Sequence, residues 1–286
     1  MIQNLFTQKK PLLSFEVFPP KKEEEFDSVY QTLNSLKLLN PDFISVTYGA
    51  GGSRSKKTIE IASYIQDKLH IEALSHMTCV GNTKEDIRKI CRELSEQGLT
   101  HVLALRGDRP QYMTDEQFDA REFTYASELV DFLKSGTKLE VAGACYPEKH
   151  YEAPTAESDL ARLREKVDAG CSFLITQLFF DNRFFYSFRE ACEKSGISVP
   201  ICAGIMPITT AKQLGTTVSL SGSSVPKELS DLIAKYADHP EDMRKAGIDF
   251  AIRQIQDLMQ QGAAGIHIYT MNKAKTASEI VKQTFL

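Results

Sequence analysis

The chain has 286 residues, of which 42% are hydrophobic and 25% charged, an ordinary composition for a globular protein. It carries 34 Lys and Arg against 38 Asp and Glu, and this net charge of −4 argues against nucleic acid as the main partner. No apolar run approaches the length that spans a bilayer, and the first residues lack the pattern of a signal peptide. The six cysteines form no C-x-x-C pair, which is typical of reduced thiols in a cytoplasmic protein.

Eight short, mostly apolar segments alternate along the chain with segments of helical periodicity. The predicted strands are 11–18, 42–48, 71–79, 101–105, 139–146, 173–180, 200–207 and 265–270. The predicted helices are 26–39, 56–69, 83–98, 125–134, 158–170, 184–196, 226–236, 240–261 and 274–285. Strands that are apolar throughout are typical of parallel sheets covered on both faces. Eight such units predict an α/β fold, a single-domain (βα)8 TIM barrel over residues 1–286, with an open doubly wound sheet as the alternative.

Two helix starts carry capping signals. Thr83 and Asp86 resemble a capping box, with Asp in place of the usual Glu, and Ser158 is expected to cap the helix that Gly170 ends. The segment 110–124 has no clear periodicity and is long for a loop between a strand and a helix. It is either a functional lid or a local insertion.

Polar residues stand at or just after most of the predicted strand ends. In a barrel these ends meet at one rim, where enzymes of this architecture build their sites. The rim residues are Glu16, Thr47, Tyr48, His76, Arg106, Gly107, Asp108, Tyr146, His150, Thr176, Gln177, Tyr269, Asn272 and Lys273. The strand 101–105 is followed directly by Arg106, Gly107 and Asp108, a cation, a glycine and an anion. We predict a functional site there rather than a solvated turn.

Glu16 is the strongest single candidate for a catalytic residue. Phe15 and Val17 flank it in the sequence, and Phe18 follows. A carboxylate in apolar surroundings is costly to ionise and holds its proton to higher pH, as a general acid at neutral pH requires. The structural alternative pairs Glu16 with a barrel cation such as Arg106.

Two weaker motifs remain ambiguous or are set aside. The run Gly49–Gly52 could cradle a phosphate, but it lacks the order of a nucleotide-binding loop, and a tight turn explains it as well. His76 and Cys79 have a metal-like spacing, but no second ligand pair lies nearby, so no metal is predicted.

The chain resembles the bacterial-type methylenetetrahydrofolate reductases, which are flavoproteins with a (βα)8 barrel. The resemblance rests on the joint order of motifs that run through nearly the whole sequence. They are SFEVFPP at 14–20, VTYGAGG at 46–52, HMTC at 76–79, LRGD at 105–108, YPE at 146–148 with His150, KVDAG at 166–170, TQLFFD at 176–181, GIMP at 204–207 and HIYTMN at 267–272.

The resemblance implies reduction of 5,10-methylenetetrahydrofolate to 5-methyltetrahydrofolate by NAD(P)H through FAD, in a ping-pong scheme of one-carbon and methionine metabolism. It implies that Glu16 is the acid that helps to open the methylene bridge, and that Asp108 lies between flavin and pterin. The implied FAD residues are Thr47, Tyr48, Ala50, His76, Arg106, Gly107, Asp108, Tyr125, Ala126, Tyr146, His150, Asp159, Arg162 and Lys166. The implied substrate residues are Glu16, Asp108, Gln177, Gln213, Tyr269 and Lys273. A homo-oligomer in the cytoplasm is expected.

The chain departs from the family pattern at three positions. Lys273 stands where Arg is common, which replaces a bidentate contact by a point charge. Glu165 stands where a second basic residue is frequent, and Thr217 where some members place a stacking aromatic. The competing hypotheses are a flavin-free barrel enzyme acting on a pterin or small carbonyl compound, a catalytically inactive binding module, and adhesion through the Arg-Gly-Asp tripeptide.

Overall fold

The computed structural model describes residues 1–8, 10–20, 22–48, 54–110 and 113–286. Within these residues, eight parallel strands close into a barrel in sequence order, which confirms the predicted (βα)8 barrel and rules out the open sheet. The strands are β1 (Leu12–Val17), β2 (Phe43–Val46), β3 (Glu72–Thr78), β4 (His101–Leu105), β5 (Glu140–Cys145), β6 (Leu174–Thr176), β7 (Ile201–Ile205) and β8 (Gly265–Tyr269).

Helices surround the barrel, and a short 3-10 turn, Glu23–Glu25, precedes the second of them. The helices within the described ranges are α1 (Ile2–Leu5), α2 (Phe26–Lys37), α3 (Arg54–Asp67), α4 (Lys84–Glu96), α5 (Asp115–Asp119), α6 (Ala126–Gly136), α7 (Ala156–Asp168), α8 (Asn182–Lys194), α9 (Ala211–Ser221), α10 (Lys227–Tyr236), α11 (Pro240–Gln260) and α12 (Ala274–Thr284). None of them is both long enough and apolar enough to cross a membrane.

The alternation of side chains along β1 decides which residues enter the barrel. Phe15 and Val17 are fully buried in the apolar layer between the strands and the helices. Ser14 and Glu16 face the barrel interior, because successive strand residues point to opposite faces. In the closing register, Ser14 lies opposite His267 of β8, which therefore faces the interior as well.

The interior is filled and closed at the amino ends of the strands. Ile2 of α1 is fully buried there against an apolar cluster. That cluster contains Leu12, Phe43, Leu74, Leu103, Ala142, Phe173, Ile175 and Cys202. At the same end, His101 Nε2 lies 3.1 Å from Glu140 Oε2, and Glu140 Oε1 accepts the Gln3 backbone N–H at 2.6 Å. The open end of the barrel, at the carboxyl ends of the strands, is therefore where a functional site can form.

Two of the predicted capping signals can be compared with the structure. The capping box of Thr83 and Asp86 is present, which confirms that prediction. The prediction that Ser158 caps its helix is wrong. Thr155 is the N-cap of α7 and its hydroxyl accepts the Ser158 N–H, so Ser158 is the third helical residue of a reciprocal pair.

The sixth strand is shorter than predicted. Its ladder ends at Thr176, and two side chains bind the carbonyl groups that follow. Ser223 Oγ donates to Leu178 O at 2.8 Å, and Gln254 Nε2 donates to Phe179 O at 2.9 Å. The sequence stays apolar after Thr176, but side chains rather than a neighbouring strand bind the carbonyl groups there.

Helix α9 lies in a part of the chain for which no element was predicted. Leu214 and Val218 lie one turn apart and pack onto a small satellite core formed by Leu178, Phe180, Ile208, Leu229 and Met243. Because α9 presents few apolar residues, its periodicity is weak, and tertiary packing supplies its stability. In the segment 110–124, the short helix α5 is the one regular element among the described residues, opened by the capping box of Thr114.

Candidate active site

Glu16 faces the barrel interior near the carboxyl end of β1, and its side chain is 20% exposed. The expectation that Phe15 and Val17 surround it is wrong, because both point away toward the helices. Its neighbours are two imidazoles instead: Glu16 Oε2 lies 3.5 Å from His76 Nε2 and 3.8 Å from His267 Nε2. The loop after β8 fixes the strand itself, since Thr270 Oγ1 donates to the Glu16 carbonyl at 2.7 Å.

The alternative pairing of Glu16 with Arg106 is also wrong. Arg106 instead forms a two-pronged ion pair with Glu152, in which Nη2 lies 2.9 Å from Oε1. This contact with Arg106 lowers the pKa of Glu152 to about 2. Glu16 therefore keeps no Lys or Arg partner among the residues that the structure describes.

The two imidazoles beside Glu16 are both buried. Burial lowers the pKa of His76 to about 4, although the nearby Glu16 opposes the shift, so His76 is neutral at neutral pH. His267 is fully buried, with Nδ1 2.8 Å from Ser14 Oγ and Nε2 3.4 Å from Ser45 Oγ. The Glu16 carboxyl group thus faces one imidazole that is neutral at neutral pH, that of His76, and a second that is fully buried.

Tyr269 connects this interior group to the rim. Its hydroxyl donates to the Thr176 carbonyl at 2.6 Å, and burial raises its pKa well above the ordinary value. The ring fits because position 204 is glycine: a Cβ there would lie 2.8 Å from the Tyr269 ring and 2.4 Å from Thr176 O. Gly204 is thus required by a close approach rather than by a turn.

Tyr269, Gln213 and Lys273 line a small crevice between the exits of β7 and β8 and the start of α12. Gln213 is committed to internal contacts: Oε1 accepts the Thr209 N–H at 3.0 Å, and Nε2 donates to Pro207 O at 2.9 Å. Gln177 Oε1 likewise accepts the Leu178 N–H at 2.9 Å. Lys273 is exposed, and it is the one cation among the residues that line this crevice.

A cleft of about 570 Å³ lies between the exits of β4 and β5 and the helices α6 and α7. The structure brings eight of the predicted FAD residues together there. They are Arg106, Tyr125, Ala126, Tyr146, His150, Asp159, Arg162 and Lys166. Among the lining residues that were not predicted, Phe118, Arg121 and Glu152 carry an aromatic ring or a charge.

The other cations of the cleft are held by nearby groups. Arg162 pairs with Glu165 at 2.8 Å and lies over the Tyr125 ring at 4.4 Å. Lys166 donates to the Ala144 carbonyl, and burial lowers its pKa. Glu165, one of the departures from the family pattern, thus forms an ion pair with Arg162 in the structure.

The wall between β5 and α7 is built from packed rings and one carboxylate. His150 lies edge-on to Tyr146 at 4.6 Å and stacks on Tyr151 at 4.7 Å. Burial, and then the nearby Arg106, lower the pKa of His150. Asp159 Oδ2 accepts the His150 backbone N–H at 3.0 Å, so this predicted FAD residue fixes the loop in the structure.

Gly107 and Asp108 follow β4 after Arg106, and neither lines the cleft. Gly107 has φ +82°, and a Cβ there would lie 3.0 Å from Thr78 Cβ, so both the conformation and the space require glycine. Asp108 is exposed, and its charge acts on Tyr146 and His150. It forms no ion pair with any described residue.

The remaining predicted residues stand after β2 and on β3. Thr47 and Tyr48 follow β2 and are half-buried, and the Thr47 N–H donates to Val17 O at 3.0 Å. Ala50 and the rest of 49–53, including the glycine run, lie outside the described residues. His76 faces Glu16 and does not line the cleft.

Metal-binding geometry is not found among the described residues, where no three His, Cys, Asp or Glu side chains are arranged to hold an ion. His76 enters the barrel, whereas Cys79 belongs to the apolar layer outside it. An odd separation along a strand places two side chains on opposite faces.

Sequence reasoning missed His267, although it lies inside a quoted motif. A signal was present: Ser14 and Glu16, like His267 and Tyr269, are polar pairs spaced two apart in otherwise apolar strands. That spacing places both members of a pair on one face. Glu152 carried no comparable signal, because its role depends on how the loop folds back onto Arg106.

Comparisons with known proteins agree with one another. A family model described as methylenetetrahydrofolate reductase matches residues 1–284. The 5,10-methylenetetrahydrofolate reductase of Escherichia coli K12 is 34% identical over 268 residues, which cover 94% of this chain and 88% of that protein. Methylenetetrahydrofolate reductase (NADH) 1 of Arabidopsis thaliana is 34% identical over 98% of this chain and 49% of its own length. A Clostridium thermocellum protein solved with two copies of 5-methyl-5,6,7,8-tetrahydrofolic acid shares the fold, with TM-score 0.70 and 15% identity over 99% of this chain and 98% of that one.

Proposed function

Because the chain belongs to the methylenetetrahydrofolate reductase family, we propose that it reduces 5,10-methylenetetrahydrofolate to 5-methyltetrahydrofolate with FAD as cofactor and NAD(P)H as electron source. Glu16 is the general acid of this proposal. The observation that carries it is the position of that carboxyl group, which faces the barrel interior at the open end beside two buried imidazoles. No Lys or Arg of the described residues neutralises it.

The cleft has the chemical character that FAD requires. Arg106, Arg162 and Lys166 would hold the diphosphate, since guanidinium and ammonium groups bind phosphate oxygens through charge-assisted hydrogen bonds. The rings of Tyr125 and Tyr146 offer apolar surface beside them. When bound, FAD supplies transfer of a hydride from the reduced nicotinamide to the methylene carbon of the folate.

The protein's own part is to place the folate and deliver a proton. Opening the methylene bridge breaks a carbon–nitrogen bond, and the nitrogen that leaves takes the proton from Glu16. Asp108, exposed just after β4, is available to accept hydrogen bonds from the pterin. Lys273 would meet a folate carboxylate as a point charge, and Gln177 and Gln213 would exchange internal contacts for contacts with folate.

The proposed reaction order is ping-pong, with the nicotinamide leaving before the folate binds. Glu16 has no part in the first half-reaction and is required in the second. The two half-reactions therefore separate what the cleft does from what the carboxyl group does.

The test is a titration of the purified protein with FAD, followed by anaerobic reduction with NADH or NADPH and reoxidation by methylenetetrahydrofolate. We expect a yellow protein whose flavin absorbance is bleached by one or both nicotinamides and restored by the folate. A colourless protein that does not take up FAD would contradict the proposal and favour the flavin-free enzyme. Relative bleaching rates identify the preferred nicotinamide.

A further inference from the structure

The segment 113–124, which contains the short helix α5, forms one wall of the cleft. Two of its lining residues, Phe118 and Arg121, bring a ring and a charge to that wall. The segment is anchored where it joins α6, because Phe123 is 1% exposed and lies edge-on to Phe132 with ring centroids 5.6 Å apart. It is therefore a packed part of the cleft, and its charged side chain can act on a ligand bound there.

Arg121 is held in place by Phe118. The guanidinium carbon lies 3.9 Å from the centroid of the Phe118 ring, and Nη1 donates to the Phe118 carbonyl oxygen. The remaining donors of Arg121, which are Nη2 and the buried Nε, form no hydrogen bond with a described residue. A buried donor without a partner costs free energy, which an oxygen atom of a ligand can recover.

Arg121 differs from the other three cations that line the cleft. Arg106 and Arg162 are each paired with a glutamate, and Lys166 donates to a backbone carbonyl. Arg121 forms no ion pair with any residue that the structure describes. A phosphate group that approaches Arg106 or Arg162 competes with a carboxylate, whereas one that approaches Arg121 does not. Arg121 is therefore the lining cation whose charge is most available to an anion.

The start of α6 makes the same part of the cleft favourable for an anion. Tyr125 is the N-cap of α6 and forms no side-chain capping bond, and Ala126 and Ser127 of the first turn line the cleft. Backbone N–H groups at the start of a helix bind phosphate oxygens. Glu128 in that turn accepts the Thr124 N–H at 2.6 Å and does not line the cleft.

We propose that Arg121 is a phosphate-binding residue of the cleft, and that it contacts the diphosphate of FAD. The inference rests on the proposed function, because FAD is the ligand assigned to this cleft, and it deepens that function by giving the segment 113–124 a part in binding. A purely structural role is the alternative, since the contact with the Phe118 carbonyl also ties Arg121 to the end of α5. That role predicts a loss of stability without a loss of phosphate affinity.

Two variants of Arg121 test the proposal, with a matched control. Arg121→Gln removes the charge, and Arg121→Lys keeps a point charge without the planar donor group. Arg109→Gln is the control, because Arg109 also lies over the Phe118 ring, at 5.1 Å, but is paired with Asp115 at 2.6 Å and does not line the cleft. Circular dichroism and thermal unfolding establish that each variant is folded.

The first readout is the affinity for FAD, measured by quenching of flavin fluorescence at several salt concentrations. Arg121→Gln should weaken binding about tenfold, as loss of one charge-assisted hydrogen bond predicts, and Arg121→Lys should restore part of the loss. The affinity should also fall less steeply with salt in Arg121→Gln, because one ionic contact is missing. Arg109→Gln should bind FAD as the native protein does.

Three results of this titration overturn the inference and leave the proposed function standing. They are an unchanged FAD affinity in folded Arg121→Gln, a lower affinity with unchanged salt dependence, and an equal loss in Arg109→Gln. If the native protein takes up no FAD, the proposed function fails, and calorimetric titration with ADP decides the inference. ADP should then bind about tenfold more weakly to Arg121→Gln than to the native protein. Equal binding of ADP by both proteins, or by neither, overturns the assignment of Arg121.

Discussion

Each end of the barrel interior holds a glutamate beside a buried histidine, and the two glutamates are treated differently. At the amino end, Glu140 accepts the Gln3 backbone N–H at 2.6 Å and the Ser172 hydroxyl at 3.3 Å, and lies 3.1 Å from His101. Burial acts to raise the pKa of Glu140, but the contacts with His101 and Gln3 outweigh it and lower the pKa. At the carboxyl end, no described group donates a hydrogen bond to the Glu16 side chain.

The difference separates a structural carboxylate from the one proposed as the general acid. Donors fixed around Glu140 favour the ionised form and tie α1 to β5. The described side chains nearest the Glu16 carboxyl group are imidazoles rather than Lys or Arg, so no permanent cation is paired with it. Substitutions at the two ends of the barrel are therefore expected to have different effects.

The largest expected effect is on the chemistry at the open end. Glu16→Gln should slow flavin reoxidation by methylenetetrahydrofolate about 100-fold or more, because a positioned acid contributes about 10²–10⁴-fold. Oxidation of the nicotinamide with an artificial acceptor should persist. Stopped-flow measurement of the two half-reactions checks this, with Glu140→Gln as the matched control. Equal loss of both half-reactions would argue against Glu16 as the acid.

Substitution of Glu140, at the closed end, should change the stability of the protein rather than its activity. Glu140→Ala is expected to lower the free energy of unfolding by about 3 kcal/mol, because it leaves buried donors without their acceptor. Urea unfolding measures the change. Glu72→Ala is the control, since that side chain, 3.4 Å from His101, is 38% exposed and should contribute less than about 1 kcal/mol. A Glu140 variant as stable as the native protein would remove the distinction between the two ends.

The stabilising effect of Glu140 should also depend on pH. A carboxyl group whose pKa is lowered by folding stabilises the protein above its unfolded pKa of about 4.3, and this contribution is lost as the pH falls through the lower folded value. The stability difference between native protein and Glu140→Gln should therefore be full near pH 6 and shrink below about pH 4. A difference that stays constant down to pH 3 would contradict this assignment.

A smaller effect is expected from two glycines that line the interior. Gly204→Ala would place Cβ 2.4 Å from Thr176 O and 2.8 Å from the Tyr269 ring, and should break their hydrogen bond. Gly265→Ala at the closed end would meet Cys202 Sγ at 2.7 Å. Each should lower stability by about 1–3 kcal/mol through overpacking. Only Gly204→Ala should also slow the folate half-reaction, and equal rates in the two variants would place Tyr269 outside the site.

The smallest effect concerns Glu152, a locked carboxylate inside the cleft. Glu152→Gln frees Arg106 from its ion pair and should tighten FAD binding by about fivefold, the scale of one partly exposed pair. Quenching of flavin fluorescence during titration measures the affinity. Glu190→Gln, which breaks an exposed pair with Lys194 on α8, should change nothing. Weaker binding in Glu152→Gln would mean that Glu152 itself contacts the cofactor.

The pattern of residues along the chain was enough to predict the barrel and its rim. Apolar strands in regular alternation with helices left few architectures, and strand-end residues such as Arg106 and Tyr146 had to meet at one end because parallel strands align their carboxyl ends. It also singled out Glu16, since a charged residue in an apolar strand needs a reason. It misjudged the surroundings of Glu16, because chain neighbours of a strand residue point to the opposite face.

The partners of those residues could not be predicted, because they depend on contacts between distant parts of the chain. His76 and His267 approach Glu16 from β3 and β8, which are distant in sequence, and Glu152 reaches Arg106 through a loop with no periodicity. Helix α9 is stabilised by packing on the satellite core. Local pattern fixes the direction of a side chain and the type of an element, whereas the charge and proton of a buried group depend on contacts that closure of the barrel creates.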